Sequence, residues 1–488
     1  MSDHRKQVTK GAKRMRAALT LAFAAMFAAG CTSFAPEYKR PEAELPAAWN
    51  AAGGVVPSSA AAASLAPGER WWSVYNDPAL DRLIDEAFAG NANLFIAAAR
   101  VEEARGYLAT SESDQLPQVT GGFTRSRTLS TNRGTFPLPP TVPREQNANR
   151  ATVNVSYELD LWGRLKNATA ASRAELLASE AARDTVRISL ASDVAQAYFA
   201  LRAYDAQIET VRRAIATRGE SLDIQKKRLG VGDISEYDLR QREAELAAAQ
   251  AQLPPLQRAR SLQESALAVL LGRNPKGIYE ARLDAGRDAE LKTVAPVVPE
   301  GMPSDLLLRR PDIVEAEQRL IAANARIGVA RAAYFPGISL TGYLGSESVA
   351  LSNLFTGPAG IWQAAFALSQ PIWGGRVDAQ VQQANARQQQ ALGNYQKTLQ
   401  VAFREVRDAL AGQTAAREQL QAEADRARAR GDTLRLVRLR YDNGMANQLE
   451  VLDAERNLLA AEQGRIDALR LQRAAIADLF KALGGGWK

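Results

Sequence analysis

The side chains that most often carry catalytic chemistry are nearly missing from this chain. Of its 488 residues one is histidine, His4, and one is cysteine, Cys31. His4 falls in a cationic leader, so the mature chain would carry no imidazole and no thiol beyond Cys31. Ser-His-Asp and Cys-His nucleophiles and histidine-ligated metal sites are thereby excluded. Paired-carboxylate chemistry stays formally open, and the spacing of two carboxylate sets places each on one face of its element. Glu158 and Asp160 take the polar positions of Val153-Asn-Val-Ser-Tyr-Glu-Leu-Asp-Leu161, whose other positions are apolar. Asp453 follows Leu449 by four and precedes Arg456 by three, so these three share one helix face. On the residues alone, a solvated face with local ion pairs worth a few tenths of a kcal/mol is the better fit to Glu450, Asp453 and Arg456.

The elements that position these residues are unusual. The alternation from Val153 to Leu161 predicts a strand with one greasy and one wet face, Glu158 and Asp160 on the wet side. Trp162-Gly163-Arg164 ends it, and Leu165 to Leu229 holds no proline and is rich in helix formers. Leu190, Val194, Ala197, Leu201, Tyr204, Ile208, Val211 and Ile215 step by four and three, a coiled-coil seam. A helix of roughly 65 residues reaches about 100 Å. The join recurs: a strand from Trp362 leads through Pro371-Ile-Trp-Gly-Gly-Arg376 into a second helical run, Val377 to Tyr441. Trp162-Gly163 falls on Trp373-Gly374, Arg228 and Gly232 on Arg440 and Gly444, Glu243 on Glu455, and Leu271-Gly272 on Leu483-Gly484. The chain reads as one fold built twice, with a period of roughly 210–220 residues, far beyond solenoid repeats.

The domain reading follows: 1–30 a signal peptide, 31–70 an N-terminal tether, 71–273 the first repeat, 274–301 a loop-like linker, 302–488 the second repeat. The net charge is +7, but six basic residues against Asp3 in the first thirty account for five of it. The remainder is nearly neutral and gives no basis for binding nucleic acid. The basic stretch, the apolar run Ala17 to Ala29 and the small residues before Cys31 have the layout of a secretory signal. Ala28-Ala29-Gly30-Cys31 resembles a bacterial lipobox, with Ala28 where that pattern prefers Leu. With no second cysteine for a disulfide, acylation of Cys31 best explains the thiol. Thr32 in place of Asp argues by resemblance for sorting to the outer membrane.

Ser33 to Gly68 is rich in Pro, Ala and Ser and reads as an extended tether. Trp71-Trp72 opens the fold, and Asp77-Pro78 starts a helix. Strands are expected over Pro117 to Ser130, from Val153, over Ile338 to Gly345 and from Trp362, joined by loops Thr131 to Gln146 and Ser346 to Gly360. Hydrophobic residues make up 46% of the chain, yet no run has transmembrane-helix length, so any membrane crossing is by strands. Four strands cannot close a membrane barrel and lipid tolerates no open edge, so the pattern requires oligomerisation; three chains give twelve strands. Each long helix turns at Gly230-Val-Gly-Asp233 or Asp442-Asn-Gly444 and returns over Ile234 to Leu271 or Gln448 to Leu483. Pro254-Pro255 predicts a break or bulge in the first return. Ala168, Ala170, Ala171 and Ala244, Ala247, Ala248, Ala249, Ala251 would let helices of a tube wall pack closely. Trp162, Trp362 and Trp373 lie near strand ends, where indoles favour the membrane interface, although ordinary packing fits each as well. Phe136, Leu138, Leu354 and Phe355 are expected to narrow the outer mouth.

Trp71-Trp72, Leu307-Leu-Arg-Arg-Pro-Asp312, Tyr334-Phe-Pro336, Pro371-Ile-Trp-Gly-Gly-Arg376 and Val451-Leu-Asp-Ala-Glu-Arg456 resemble the TolC/OprM outer-membrane efflux lipoproteins, the NodT-like branch. The resemblance covers essentially the whole mature chain. It implies a mostly α fold with membrane β, a TolC-like channel-tunnel. In it a trimeric twelve-strand β-barrel of four strands per chain is continuous with a twelve-helix periplasmic α-barrel. It further implies a homotrimer anchored in outer-membrane lipid by diacylglycerol and palmitate on Cys31, with no other cofactor. The partners are a periplasmic adaptor (membrane fusion) protein and an RND-type proton-driven inner-membrane pump. The chain would be no enzyme but a passive conduit for small toxic compounds. Carried over by position, the periplasmic gate comprises Asp238, Tyr441, Leu449, Glu450, Asp453 and Arg456, and the barrel lumen Glu158 and Asp160. Ala446 stands where some relatives have a latching arginine, and Glu450 where they have Asp. A type I protein-secretion channel shares this fold and differs in its partners. A coiled-coil envelope tether has no use for four alternating strands. A cell-wall glycosidase would need a pocket-like Gly-rich or aromatic constellation, which this sequence of long helices does not show.

Overall fold

Two polar side chains set the start of the helical part. Asp77 accepts from the backbone N–H groups of Ala79 and Leu80 at 3.0 and 3.3 Å, and Pro78 takes the first position of α1, Pro78–Gly90. Asn91 does the same for α2, Ala92–Ser113, accepting from Asn93 at 2.9 Å. The computed structural model describes residues 34–42, 70–131, 133, 139, 141–280 and 308–485. The order continues β1 Gln118–Leu129, β2 Glu145–Glu158, α3 Arg164–Gly230, α4 Glu236–Leu270, α5 Pro275–Glu280, α6 Pro311–Ala332, β3 Gly337–Ser348, β4 Gly360–Ser369, α7 Arg376–Asp442 and α8 Gln448–Ala482. No helix among the described residues is long and apolar enough to cross a membrane, which says nothing of a barrel.

The described residues fall into two units. One takes residues up to 41, 102–178 and 316–395, and holds the sheet. Its four strands run β1-β2-β3-β4, each antiparallel to the next. The register aligns Val153, Val155 and Tyr157 with Val119, Leu340, Leu344, Trp362 and Phe366 on one face. Beside it Ala171 and Ala174 of α3 pack on Ala322 and Ala325 of α6. Small side chains there let two backbones approach, as expected for Ala171; Ala170 is exposed.

The other unit takes 42–101, 179–315 and the chain from 396. Its core includes most of the predicted seam: Leu190, Val194, Ala197, Leu201, Ile208 and Val211 are buried, while Tyr204 and Ile215 are half-buried. An aromatic group closes it. Trp71 stacks on Phe480 at 5.0 Å, Tyr75 meets Phe199 at 4.7 Å, and the Tyr75 hydroxyl donates to the Arg473 carbonyl at 2.7 Å. Arg310, from the Arg-Arg-Pro-Asp motif, is buried and bonds Asp312 and Glu405 at 2.7 Å each and the Ala482 carbonyl at 2.5 Å.

Four expectations are corrected. Helix α4 runs continuously through Pro254-Pro255; both rings are exposed, so the two carbonyls that lose N–H partners can be solvated. Residues 275–280, expected as loop, form the short α5. Strand β2 starts at Glu145, ahead of Val153, because its polar first half still pairs with β1 through Leu129↔Glu145. Residues 34–42, expected as free tether, pack on α6: Arg40 grips Glu317 through Nε at 2.7 Å and Nη2 at 2.6 Å.

Candidate functional site

Three places carry the polar side chains that could act on a passing solute or a partner. The first is the wet face of the sheet. Glu158 is the last residue of β2 and forms a bidentate pair with Arg164, both bonds 2.7 Å. Asp160, expected on the same lining, lies beyond the strand. Its Oδ2 accepts from the Lys166 N–H at 2.8 Å, so it caps the first turn of α3. The strand stops here because Leu161 N–H turns back to the Leu159 carbonyl at 3.0 Å. Higher on the wet face, Arg150 lies over the Tyr343 ring, Cζ 4.4 Å from its centroid, with Glu347 3.6 Å from Nη1. The sequence gives little sign of this group, because residues 146–152 read as loop or as no element. Extending the alternation upstream from Val153 puts Thr152 and Arg150 on the wet face, and that is the signal that could have found it.

The tryptophans divide. Trp162 stacks on Phe335 at 4.8 Å and donates to the Pro336 carbonyl at 2.8 Å, so it is a packing residue. Trp362 and Trp373 are 76% and 98% exposed, as rings at an interface would be. Of the loop residues expected at the outer mouth, Leu354 is buried and Phe355 exposed; Phe136 and Leu138 lie outside the described residues.

The second place is the pair of helical turns, in one unit. Gly232 and Gly444 take positive φ, +77° and +71°. Each closes a Schellman motif, with Asp233 N–H on the Arg228 carbonyl and Met445 N–H on the Arg440 carbonyl at 2.9 and 2.8 Å. Each return helix opens with a capping box, Ser235 with Asp238 and Asn447 with Glu450. The Asp238 and Glu450 carboxylates, both nominated for the gate, are therefore engaged in shaping the turns. The Asp238 carbonyl accepts from Gln448 Nε2 at 2.7 Å, which ties the first turn to the second. Asp453 accepts from Arg456 at 3.0 Å and Asn457 at 2.9 Å, and Arg456 lies 3.6 Å from Glu245 of α4. Tyr441 is half-buried against Leu434, Val451 and Ala454, while Leu449 is exposed. Leu449, Asp453 and Arg456 lie on one helix, and Tyr441 and Asp238 on its neighbours. Around them Val231, Tyr237 and Met445 are also exposed, an apolar tip on a charged hairpin.

The third is the amino-terminal segment. Phe34 stacks on Phe335 at 4.5 Å, the Pro36 carbonyl accepts from Asn324 at 2.7 Å, and Tyr38 adds a hydrogen bond to Glu317 at 3.2 Å. Burial, then the Glu317 charge, pushes the Tyr38 hydroxyl well above its ordinary value. Cys31 itself lies outside the described residues.

A sheet with one apolar face, feeding two long helical hairpins, is a geometry shared with known proteins. The family model for outer membrane efflux protein matches residues 83–273 and 302–485. The chain belongs to the outer membrane efflux protein family. It is 36% identical to the toluene efflux pump outer membrane protein TtgC of Pseudomonas putida, over 96% of this chain and 95% of that one. It is 35% identical to the probable outer membrane lipoprotein SilC of Salmonella typhimurium, over 94% and 96%. The outer membrane channel CmeC of Campylobacter jejuni superposes with a TM-score of 0.83 at 28% identity, over 94% and 96%. This efflux protein therefore has the channel-tunnel fold and is an outer-membrane channel of an efflux system.

Proposed function

We propose that three copies of this chain close a twelve-stranded barrel and act as the passive exit duct of a tripartite pump. The observation that carries this is the sheet: four strands, apolar on one face, with β1 and β4 each left as an edge. Lipid tolerates no open edge, so closure must come from other copies, and the strand count per chain suits a trimer. Solute is moved by an RND-type inner-membrane pump through a periplasmic adaptor, and no bond is made or broken in the duct. The exposed apolar residues of the helical turns are the surface offered to the adaptor. Cys31 carries diacylglycerol and palmitate, which the lipoprotein relative supports.

The gate is the Asp453–Arg456 pair with Leu449 and Tyr441, closing the periplasmic mouth as rings of three. Asp238 and Glu450 serve it by holding the two turns in shape. Ala446 offers no latch, so closure depends on the Gln448 bond to the Asp238 carbonyl and the Arg456 contact with Glu245. The decisive experiment is the mass of the purified, acylated protein in detergent together with its single-channel conductance in a planar bilayer. A conducting trimer supports the reading; a non-conducting monomer sinks it.

A further inference from the structure

The wet face of the four strands is almost without charge. Beyond Glu158 at its helix end, the side chains on that register are Ser, Thr, Ala, Asn and Gln with Ile361 and Tyr343, and two charges, Arg150 and Glu347. These two are direct partners in the β2–β3 register, and their charged atoms lie 3.6 Å apart. They stand eight residues from Glu158, about 26 Å at a rise of about 3.3 Å per residue. The opposite face is already polar there, with Asn149 and Ser348 aligned, so the pair sits at the outer end of the apolar band.

The pair is held in a particular way. Tyr343 is two steps below Glu347 on the same face, and Gly345 lies between them. A Cβ at Gly345 would overlap the Ala151 carbonyl, so no side chain can stand there, and the guanidinium has a clear path onto the Tyr343 ring. A cation over a ring face is attracted by the ring quadrupole. The side chains of Arg150 and Glu347 remain 39% and 45% exposed, which leaves both open to ions in the lumen.

We propose that Arg150 and Glu347 form a charge-balanced ring in the outer barrel, each cancelling the ion preference of the other, with Tyr343 as the positioning residue that holds the guanidinium to the wall. The inference rests on the trimeric-barrel reading, in which each residue is present three times around the lumen. With both present the ring is balanced and ions of either sign pass. Removing one partner leaves three like charges facing inward in a stretch with no other charge to offset them. Small anions, carboxylates among them, are the solutes that Arg150 would retain once Glu347 is gone.

The test is the reversal potential of single trimers in a potassium chloride gradient, for wild type, Glu347→Gln, Arg150→Gln and Arg150→Lys. Glu347→Gln should move the cation-to-anion permeability ratio down by about twofold or more, and Arg150→Gln should move it up by a similar factor. Arg150→Lys keeps the charge and should stay near wild type. Ratios unchanged in both glutamine variants, or shifted in the same direction, overturn the proposal. A wild type that fails to conduct as a trimer overturns the barrel reading instead.

Discussion

At the scale of single residues, the contacts with most at stake are those that tie the amino-terminal segment down. Glu317 is only 9% exposed in its side chain and receives Arg40 through two nitrogens. Arg40 is half exposed, which screens the pair; Arg40→Ala should cost about 1 to 2 kcal/mol, read from the denaturant midpoint in detergent. Lysine cannot reproduce the fork, so Arg40→Lys should recover little of it. Gly328 is a notch for the same segment, since a Cβ there would come within 2.8 Å of the Ala35 backbone nitrogen and 2.6 Å of Asn167. Gly328→Ala should displace the segment and speed proteolysis near Phe34, whereas unchanged cleavage would show the notch to be incidental. At the proposed gate, Asp453→Ala releases Asn457 and the Asp453 contact of Arg456, and would remove one negative ring of the proposed trimer. Closed-state conductance should rise and cation preference fall; a variant as tight as wild type would rule Asp453 out.

At the scale of elements, the two hairpins solve the same problem with different residues. Each needs a positive φ to leave the long helix and a side-chain cap to enter the return helix. Gly232 and Gly444 provide the first, Ser235 and Asn447 the second. Ser235→Ala and Asn447→Ala should each cost about 1 kcal/mol locally, seen as faster amide hydrogen exchange at Asp238 and Glu450. These turns were legible because Gly and Asn stood where the apolar period stopped. The upper half of β2 was not: its polar residues lie beyond the apolar band, so the period-two signal fades while the ladder continues. Pro254-Pro255 misled in the other direction, since proline costs a helix interior most when the freed carbonyls are buried, and here both prolines face solvent.

At the scale of the whole molecule, pH adds a check on packing of the helical unit. Burial raises the Asp478 carboxyl above its ordinary value, although Lys481 and a hydrogen bond from Gln196 oppose the shift. The folded chain thus holds this proton more tightly than the unfolded one. The stabilisation is full below the unfolded value near 3.8 and is lost as pH rises through the raised folded value. Asp478→Asn should flatten that part of the stability curve, and an identical curve would show that Asp478 is solvated in the assembled protein.

Local pattern alone determined the element plan: alternation marks membrane strands, steps of three and four mark long helices, and the recurrence of both marks a fold built twice. The composition, one histidine and one cysteine in 488 residues, was the ground for expecting a conduit. Backbone signals of this kind are carried by neighbours in the chain, so sequence displays them. The tertiary structure decided which polar groups act on one another. Asp160, read as lining, caps a helix; Asp238 and Glu450, read as gate charges, form capping boxes; Arg150 and Glu347, some two hundred residues apart, are partners. The physical reason is that a charge takes its role from what lies within a few ångströms, and only the strand register and helix packing bring those distant groups together.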